Sequence, residues 1–144
     1  MAEAMDLARE IMEAVQKVHV LATVDAQGRP QMRWMGALVE DPEAPWTFYL
    51  ACSAGSRKMQ QIATNPRAQL LFSKLDTWQV ASLSGEAEAV DSPELRQMIW
   101  EAVPVIAEYY SGPNDPNMAI IRFKTCCGEV LAMQEGMEPV RFEA

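Results

Sequence analysis

A chain of 144 residues with formal net charge −8, 49% apolar and 22% charged side chains has the size and composition of one globular domain over residues 1–144. The acidic balance excludes a general nucleic-acid or anionic-membrane surface, which needs clustered Lys and Arg, and no apolar run approaches a membrane span. Three cysteines, Cys52, Cys126 and Cys127, make a poor disulfide framework and fit a reducing cytoplasm.

Met1 to Glu10 carries acidic residues and no apolar core of a signal peptide. Leu7, Ile11, Val15 and Val18 recur at helical spacing, with Met5, Ala8 and Met12 beside them, and predict an amphipathic helix. Val18 to Val24 is β-branched and apolar. Asp25-Ala26-Gln27-Gly28 reads as a turn and Gln31 to Val39 as the returning strand of a hairpin. Asp41 to Pro45 breaks the chain, and Trp46 to Cys52 is a third strand. Ser56 to Thr64 is a short helix stopped by Asn65-Pro66.

Ala68 to Ser73 and Trp78 to Val90 are the next strands, the latter interrupted by Gly85, a bend or bulge signal. Asp91-Ser92-Pro93-Glu94 opens a helix, with Asp91 and Glu94 at capping-box spacing. It carries Leu95, Met98, Ile99 and Val103 and continues or restarts after Pro104 toward Tyr110. Ser111 to Asn117 is a loop. Met118 to Phe123 and Glu129 to Met133 read as a final hairpin, followed by a polar tail after Gln134. Cys126 and Cys127 are expected to be packing residues of a strand, because one His and no second Cys pair leave a metal role without ligands. Short strands joined by tight turns, without strict strand–helix alternation, point to a small antiparallel barrel with peripheral helices.

The chemistry concentrates at Tyr49 to Lys58. An apolar strand runs into the small-residue loop Cys52-Ser53-Ala54-Gly55. The next helix opens with Ser56, Arg57 and Lys58. A helix N-terminus has unpaired N–H donors and partial positive charge, so two cations there are electrostatically misplaced. An anion such as phosphate would resolve the conflict, with Ser56 and backbone N–H groups donating. The plainer alternative is an ordinary Ser N-cap with both cations in water.

Gly28-Arg29-Pro30-Gln31-Met32-Arg33, then Gly55-Ser56-Arg57-Lys58-Met59-Gln60-Gln61-Ile62 followed by Asn65-Pro66-Arg67-Ala68-Gln69-Leu70-Leu71-Phe72, resembles the pyridoxamine 5'-phosphate oxidase-like FMN-binding split barrels. Trp100, Tyr110 to Pro116 and Ile120-Ile121-Arg122 resemble the general stress protein branch of that superfamily. The resemblance spans roughly Val18 to Val130. It implies a mainly β fold, an antiparallel split β-barrel, and FMN held where two subunits of a homodimer meet.

It also implies Ser56, Arg57 and Lys58 on the flavin phosphate and Arg33 nearby. The backbone of Trp34 and Met35 would run along the isoalloxazine, as would that of Ala51 and Cys52. Cys52 stands where the family usually has Thr. A flavin-contacting Gln of the oxidase proper aligns with Val80, so Gln79 enters the set only if a bulge near Gly85 corrects the register. The oxidase's C-terminal Trp and its substrate-phosphate Arg and His motif have no match here, so pyridoxamine phosphate oxidation is not expected.

His19, the single histidine, reads as a buried strand residue with a satisfied hydrogen bond. No acid–base pair, triad or metal cluster stands out, so catalytic residues stay unassigned. Trp78, Trp100, Tyr109 and Tyr110 could wall a flat pocket. The expected function is a flavin-dependent oxidoreductase acting on a small molecule, with reduced nicotinamide one possible donor. The alternatives are a non-catalytic flavin-binding or flavin-storing stress protein and, less favoured, a site for deazaflavin or haem. No nucleic acid or membrane partner is expected.

Overall fold

The computed structural model describes residues 2–36, 38–133, 136 and 138–144. Ala37, at the end of the predicted strand 31–39, and Gln134, at the start of the tail, lie outside the described residues, as do Met1, Glu135 and Met137. The elements are helices α1 (Ala2–Ala14), α2 (Arg57–Thr64) and α3 (Pro93–Ala102), a 3-10 helix at Pro104–Glu108, and eight strands. The strands are β1 (His19–Val24), β2 (Pro30–Met35), β3 (Val39–Glu40), β4 (Thr47–Ser53), β5 (Arg67–Lys74), β6 (Gln79–Val90), β7 (Met118–Ala132) and β8 (Val140–Glu143).

All strands pair antiparallel in the order β2-β1-β5-β6-β7-β4-β3, with β8 on β7. The sheet curls without closing, a split barrel whose open ends are β2 and β3. Asp25 sets the β1–β2 turn: its carboxylate accepts from the Gln27 and Arg29 N–H groups, each at 2.9 Å, and Gly28 takes φ 78°. Inward residues Leu21, Leu50, Leu70, Phe72, Leu83 and Phe123 form the main core, which Ala4, Ala8, Ile11 and Met12 of α1 cover. Arg9 anchors α1 by pairing with Glu40 and lying 4.2 Å from the Trp46 ring centre.

A second core cluster explains the unbroken apolar run in β4. Phe48, Leu50 and Cys52 face the barrel interior, while Tyr49 and Ala51 pack under α3 and the 3-10 helix with Ile99, Ile106, Met118 and Ile120. A strand covered on both faces loses polar alternation.

Several expectations need correction. α1 stops at Ala14, so Val18 lies beyond it and is exposed. The predicted strand 31–39 divides: β2 ends at Met35, and β3 pairs with β4 at the opposite end of the sheet. α3 is capped by Ser92, whose Oγ accepts from the Leu95 N–H at 3.1 Å, while Asp91 pairs with Arg96. The expected final hairpin is one strand of 15 residues, β7. The tail contributes β8, which buries Phe142.

The irregularity foreseen at Gly85 is present, but the extra residue is on β7. Ser84 pairs with Cys127 and Gly85 with Thr125, leaving Cys126 as the bulge. A Cβ at position 85 would lie 2.1 Å from the Lys124 carbonyl oxygen, so only glycine fits. Cys126 is exposed and Cys127 half-buried, so neither is the core packing residue expected.

Candidate functional site

β4 delivers the chain to the loop at Ser53–Ser56, and α2 starts at Arg57. The loop is pinned from outside: the Ala54 N–H donates to the Asn117 carbonyl at 2.8 Å, and the Ser53 and Tyr110 hydroxyls lie 3.2 Å apart. Arg96 in turn fixes the 111–118 loop by donating to the carbonyls of Pro113, Asp115 and Met118 at 3.0, 3.2 and 2.8 Å.

Ser56 occupies the N-cap position, yet its side chain makes no capping hydrogen bond. Its Oγ is sealed from water and, with only the Cys52 thiol beside it, makes no hydrogen bond of normal geometry. Such an atom costs free energy unless a ligand supplies a partner. No acidic residue stands in the first turn of α2. Among the described residues, Arg33, Arg57 and Lys58 have no carboxylate within ion-pair distance; Arg29, Arg67, Lys74 and Lys124 are also unpaired, but only the first three gather around the start of α2.

Arg33 reaches this corner from β2. Its Nη1 donates to Thr23 Oγ1 at 2.7 Å and to the Leu21 and Gln31 carbonyls at 3.2 Å, and its Nη2 donates to Gln61 Oε1 at 3.1 Å. Every acceptor is neutral. Partial burial and the nearby Arg57 charge lower the Arg33 pKa, although a guanidinium stays charged. Cys52 sits at the hub. Burial pushes its thiol up, while Lys58, Ser56 and Arg33 pull toward the thiolate. Its Sγ lies 3.5 Å from Met59 Sδ. Positive charge thus converges on a half-buried corner without a protein anion to balance it.

The corner opens into a cleft of about 490 Å³. Trp34, Met35 and Gly36 form one wall, Ala51, Cys52, Ser53 and Lys58 the floor, and Val105, Ile106, Tyr109 and Tyr110 of the 3-10 helix and its end the other wall. A larger depression lies over α3 at Pro93–Ala102, but no cation lines it.

Of the residues singled out from the sequence, Arg33, Trp34, Met35, Ala51, Cys52, Ser56, Arg57 and Lys58 come together here. Gln79 does not. It begins β6, eleven residues from Val90, whose β7 partner Ile120 pairs with Ala51; at ~3.3 Å per residue that is roughly 35 Å along the strand. Its amide oxygen instead accepts from Thr77 Oγ1 at 2.8 Å. Tyr109 and Tyr110 line the cleft, Trp100 packs in the second core cluster, and Trp78 is exposed elsewhere.

Sequence reasoning missed Thr23 and Gln61 as partners of Arg33. Gln61 lies one helical turn after Arg57, a spacing that places both on one face of α2. His19 is buried as expected, and its Nδ1–H donates to the Lys17 carbonyl at 2.8 Å. Its Nε2, however, is sealed in the core without a partner. Among the described residues no group of three or more His, Cys, Asp or Glu is placed to hold a metal ion. None of the described helices is long and apolar enough to cross a membrane.

The family model described as pyridoxamine 5'-phosphate oxidase matches residues 7–126. No curated protein matches the chain. Among solved structures, the fold is similar to a NimC/NimA family protein from Clostridium acetobutylicum, with TM-score 0.80, 23% identity, and coverage of 99% of this chain and 93% of that one. It is similar to a protein of the same organism related to general stress protein 26 of B. subtilis (TM-score 0.81, 19% identity, 96% and 93% coverage). It also resembles a haem-binding protein from Mycobacterium smegmatis (TM-score 0.70, 17% identity, 92% and 55% coverage).

Proposed function

The chain belongs to the pyridoxamine 5'-phosphate oxidase family, and on that premise we propose that it binds FMN and acts as a flavin-dependent oxidoreductase on a small molecule other than pyridoxamine phosphate. The observation that carries this reading is the unbalanced cationic corner. Arg33, Arg57 and Lys58 without carboxylate partners, and the orphaned Ser56 Oγ, fit a phosphate dianion. The cleft beside it, with Trp34, Ala51, Cys52 and Tyr109 in its lining, fits a flat ring system.

Bound FMN supplies the hydride and electron chemistry of its ring. The protein's share is placement. Ser56 and Lys58 would donate to the phosphate, Arg33 and Arg57 would add positive potential, and the β2 and β4 backbones would hold the ring. Cys52 gives only a weak donor where a hydroxyl would give a strong one. Haem fits less well. The single histidine does not line the cleft, and its Nε2 is buried, so it would have to turn out of the core to serve as an axial ligand there.

The cleft opens beside an exposed apolar sheet face, which supports a homodimer with the cofactor at the subunit junction. Trp34, Val20 and Leu71 stand in register across β2, β1 and β5. Trp34 is 82% and Met32 72% exposed, an arrangement that favours burial by a second copy. A second reading, flavin binding without turnover, draws on the lining of the cleft, where the described residues include no carboxylate or imidazole to move a proton.

The test is an FMN titration followed by absorbance, on the wild type and on Lys58→Ala. Saturable binding is expected, weakened by about 1.5–3 kcal/mol when the charge-assisted contact is lost. No saturable binding by the wild type would overturn the reading. Anaerobic flavin reduction by NADH or NADPH then tests nicotinamide-driven turnover, and redox turnover with any donor–acceptor pair above that of free FMN would overturn the storage reading.

A further inference from the structure

The bulge in β7 does something unusual to two adjacent residues. In a regular strand neighbouring side chains point to opposite faces. Here Thr125 is buried, opposite Gly85, and Gly128 is buried, opposite Leu83. Between them Cys127 pairs with the outward-facing Ser84, and the extra residue Cys126 is exposed. Cys126 also lines an outer depression of about 450 Å³ with Gln69, Ser84 and Glu86. Both thiols therefore lie on the outer face of the sheet. Both are free.

We propose that Cys126 and Cys127 form a vicinal dithiol that captures a single thiophilic centre, of the class of trivalent organoarsenicals. Two soft ligands on one face suit a soft acceptor. Closing a disulfide is disfavoured instead, because consecutive Cα atoms are about 3.8 Å apart and disulfides need about 4.4–6.8 Å. A trivalent centre bridging the two sulfurs relaxes that constraint. The reaction exchanges ligands without redox change. An aryl arsenic(III) dihydroxide forms two As–S bonds, and two hydroxides leave with the two thiol protons as water.

The probe is phenylarsine oxide, added to the folded wild-type protein. The expected result is uptake of one equivalent, reversed by a competing small dithiol. Iodoacetamide mapping by mass spectrometry should show Cys126 and Cys127 protected. Cys126→Ser and Cys127→Ser should each weaken capture by about 10²–10⁴-fold, the loss of an intramolecular second thiol. Absence of uptake, protection of Cys52 instead, or retained capture by either variant would overturn the proposal. The mapping on wild type decides the matter even if a variant folds poorly.

Discussion

The Arg33 guanidinium donates to the Gln61 side-chain oxygen at 3.1 Å, so β2 and α2 are joined through a neutral amide where an ion pair would otherwise form. The same oxygen accepts from Thr23 Oγ1 at 2.5 Å. Replacing Gln61 by Glu keeps the shape and places a fixed anion beside Arg33. The flavin-free protein should gain stability, by up to about 1 kcal/mol for a partly buried pair. FMN affinity should fall by roughly tenfold or more, because the new carboxylate competes for the same cations. Paired chemical denaturation and FMN titration of Gln61→Glu check this. Unchanged FMN affinity would mean that the phosphate does not depend on this corner.

Gly85 and Gly128 make predictions of different size from similar clashes. A Cβ at 85 would meet backbone, the Lys124 carbonyl oxygen at 2.1 Å. β6 and β7 are the two longest strands and pair along their length, so that backbone cannot yield cheaply. Gly85→Ala should cost more than about 3 kcal/mol. A Cβ at 128 would meet the Phe142 ring at 2.5 Å. Phe142 belongs to the four-residue strand β8, which can shift, so Gly128→Ala should cost about 1–3 kcal/mol. Urea unfolding of both variants tests the ranking, and a smaller loss at 85 would contradict the bulge geometry.

That bulge also marks where the sequence stops being legible. The β1–β2 turn, β4 and the start of α2 could be read because their signals are local: Asp25 and Gly28 in the turn, an apolar run, a Ser followed by cations. β7 could not, because Thr125 to Gly128 slip the inward–outward alternation by one and mimic a break. β3 was hidden for another reason. Leu38 and Val39 continue the apolar run of β2, yet Val39 and Glu40 pair with Tyr49 and Phe48 far across the sheet, a non-local choice. In the site, Ser56, Arg57 and Lys58 stood out as a motif. Thr23 and Gln61 came to Arg33 only through folding, 10 and 28 residues away in sequence.

His19 gives the fold a pH dependence of fixed sign. Burial lowers its pKa, with the Lys17 carbonyl opposing more weakly, so the folded state resists the proton that the unfolded chain accepts near pH 6.5. The unfolded state therefore binds more protons between its own pKa and the lower folded value. Stability is full above about 6.5 and falls as pH drops through that window, by up to about 1.4 kcal/mol per pH unit. His19→Gln retains a donor for the carbonyl but never charges. Denaturation midpoints at pH 7.5 and 5.5 should drop more for wild type than for this variant; equal drops would assign the acid sensitivity to other groups.

The apolar outer face yields the last prediction. Trp34 and Met32 stand on β2 two residues apart, 82% and 72% exposed, and neither contributes to the buried core clusters. Trp34→Lys or Met32→Lys should leave the stability of an isolated subunit within about 0.5 kcal/mol, as exposed substitutions do. In a homodimer built on this face each would bury an unpaired charge at the contact, which costs several kcal/mol. Light scattering at micromolar concentration should then show a dimer for the wild type and a monomer for both variants. Met32 does not line the cleft, so loss of FMN binding in Met32→Lys, tracking the loss of the dimer, would tie the cofactor to the subunit junction. A Met32→Lys monomer that binds FMN as tightly as wild type would confine the site to one chain.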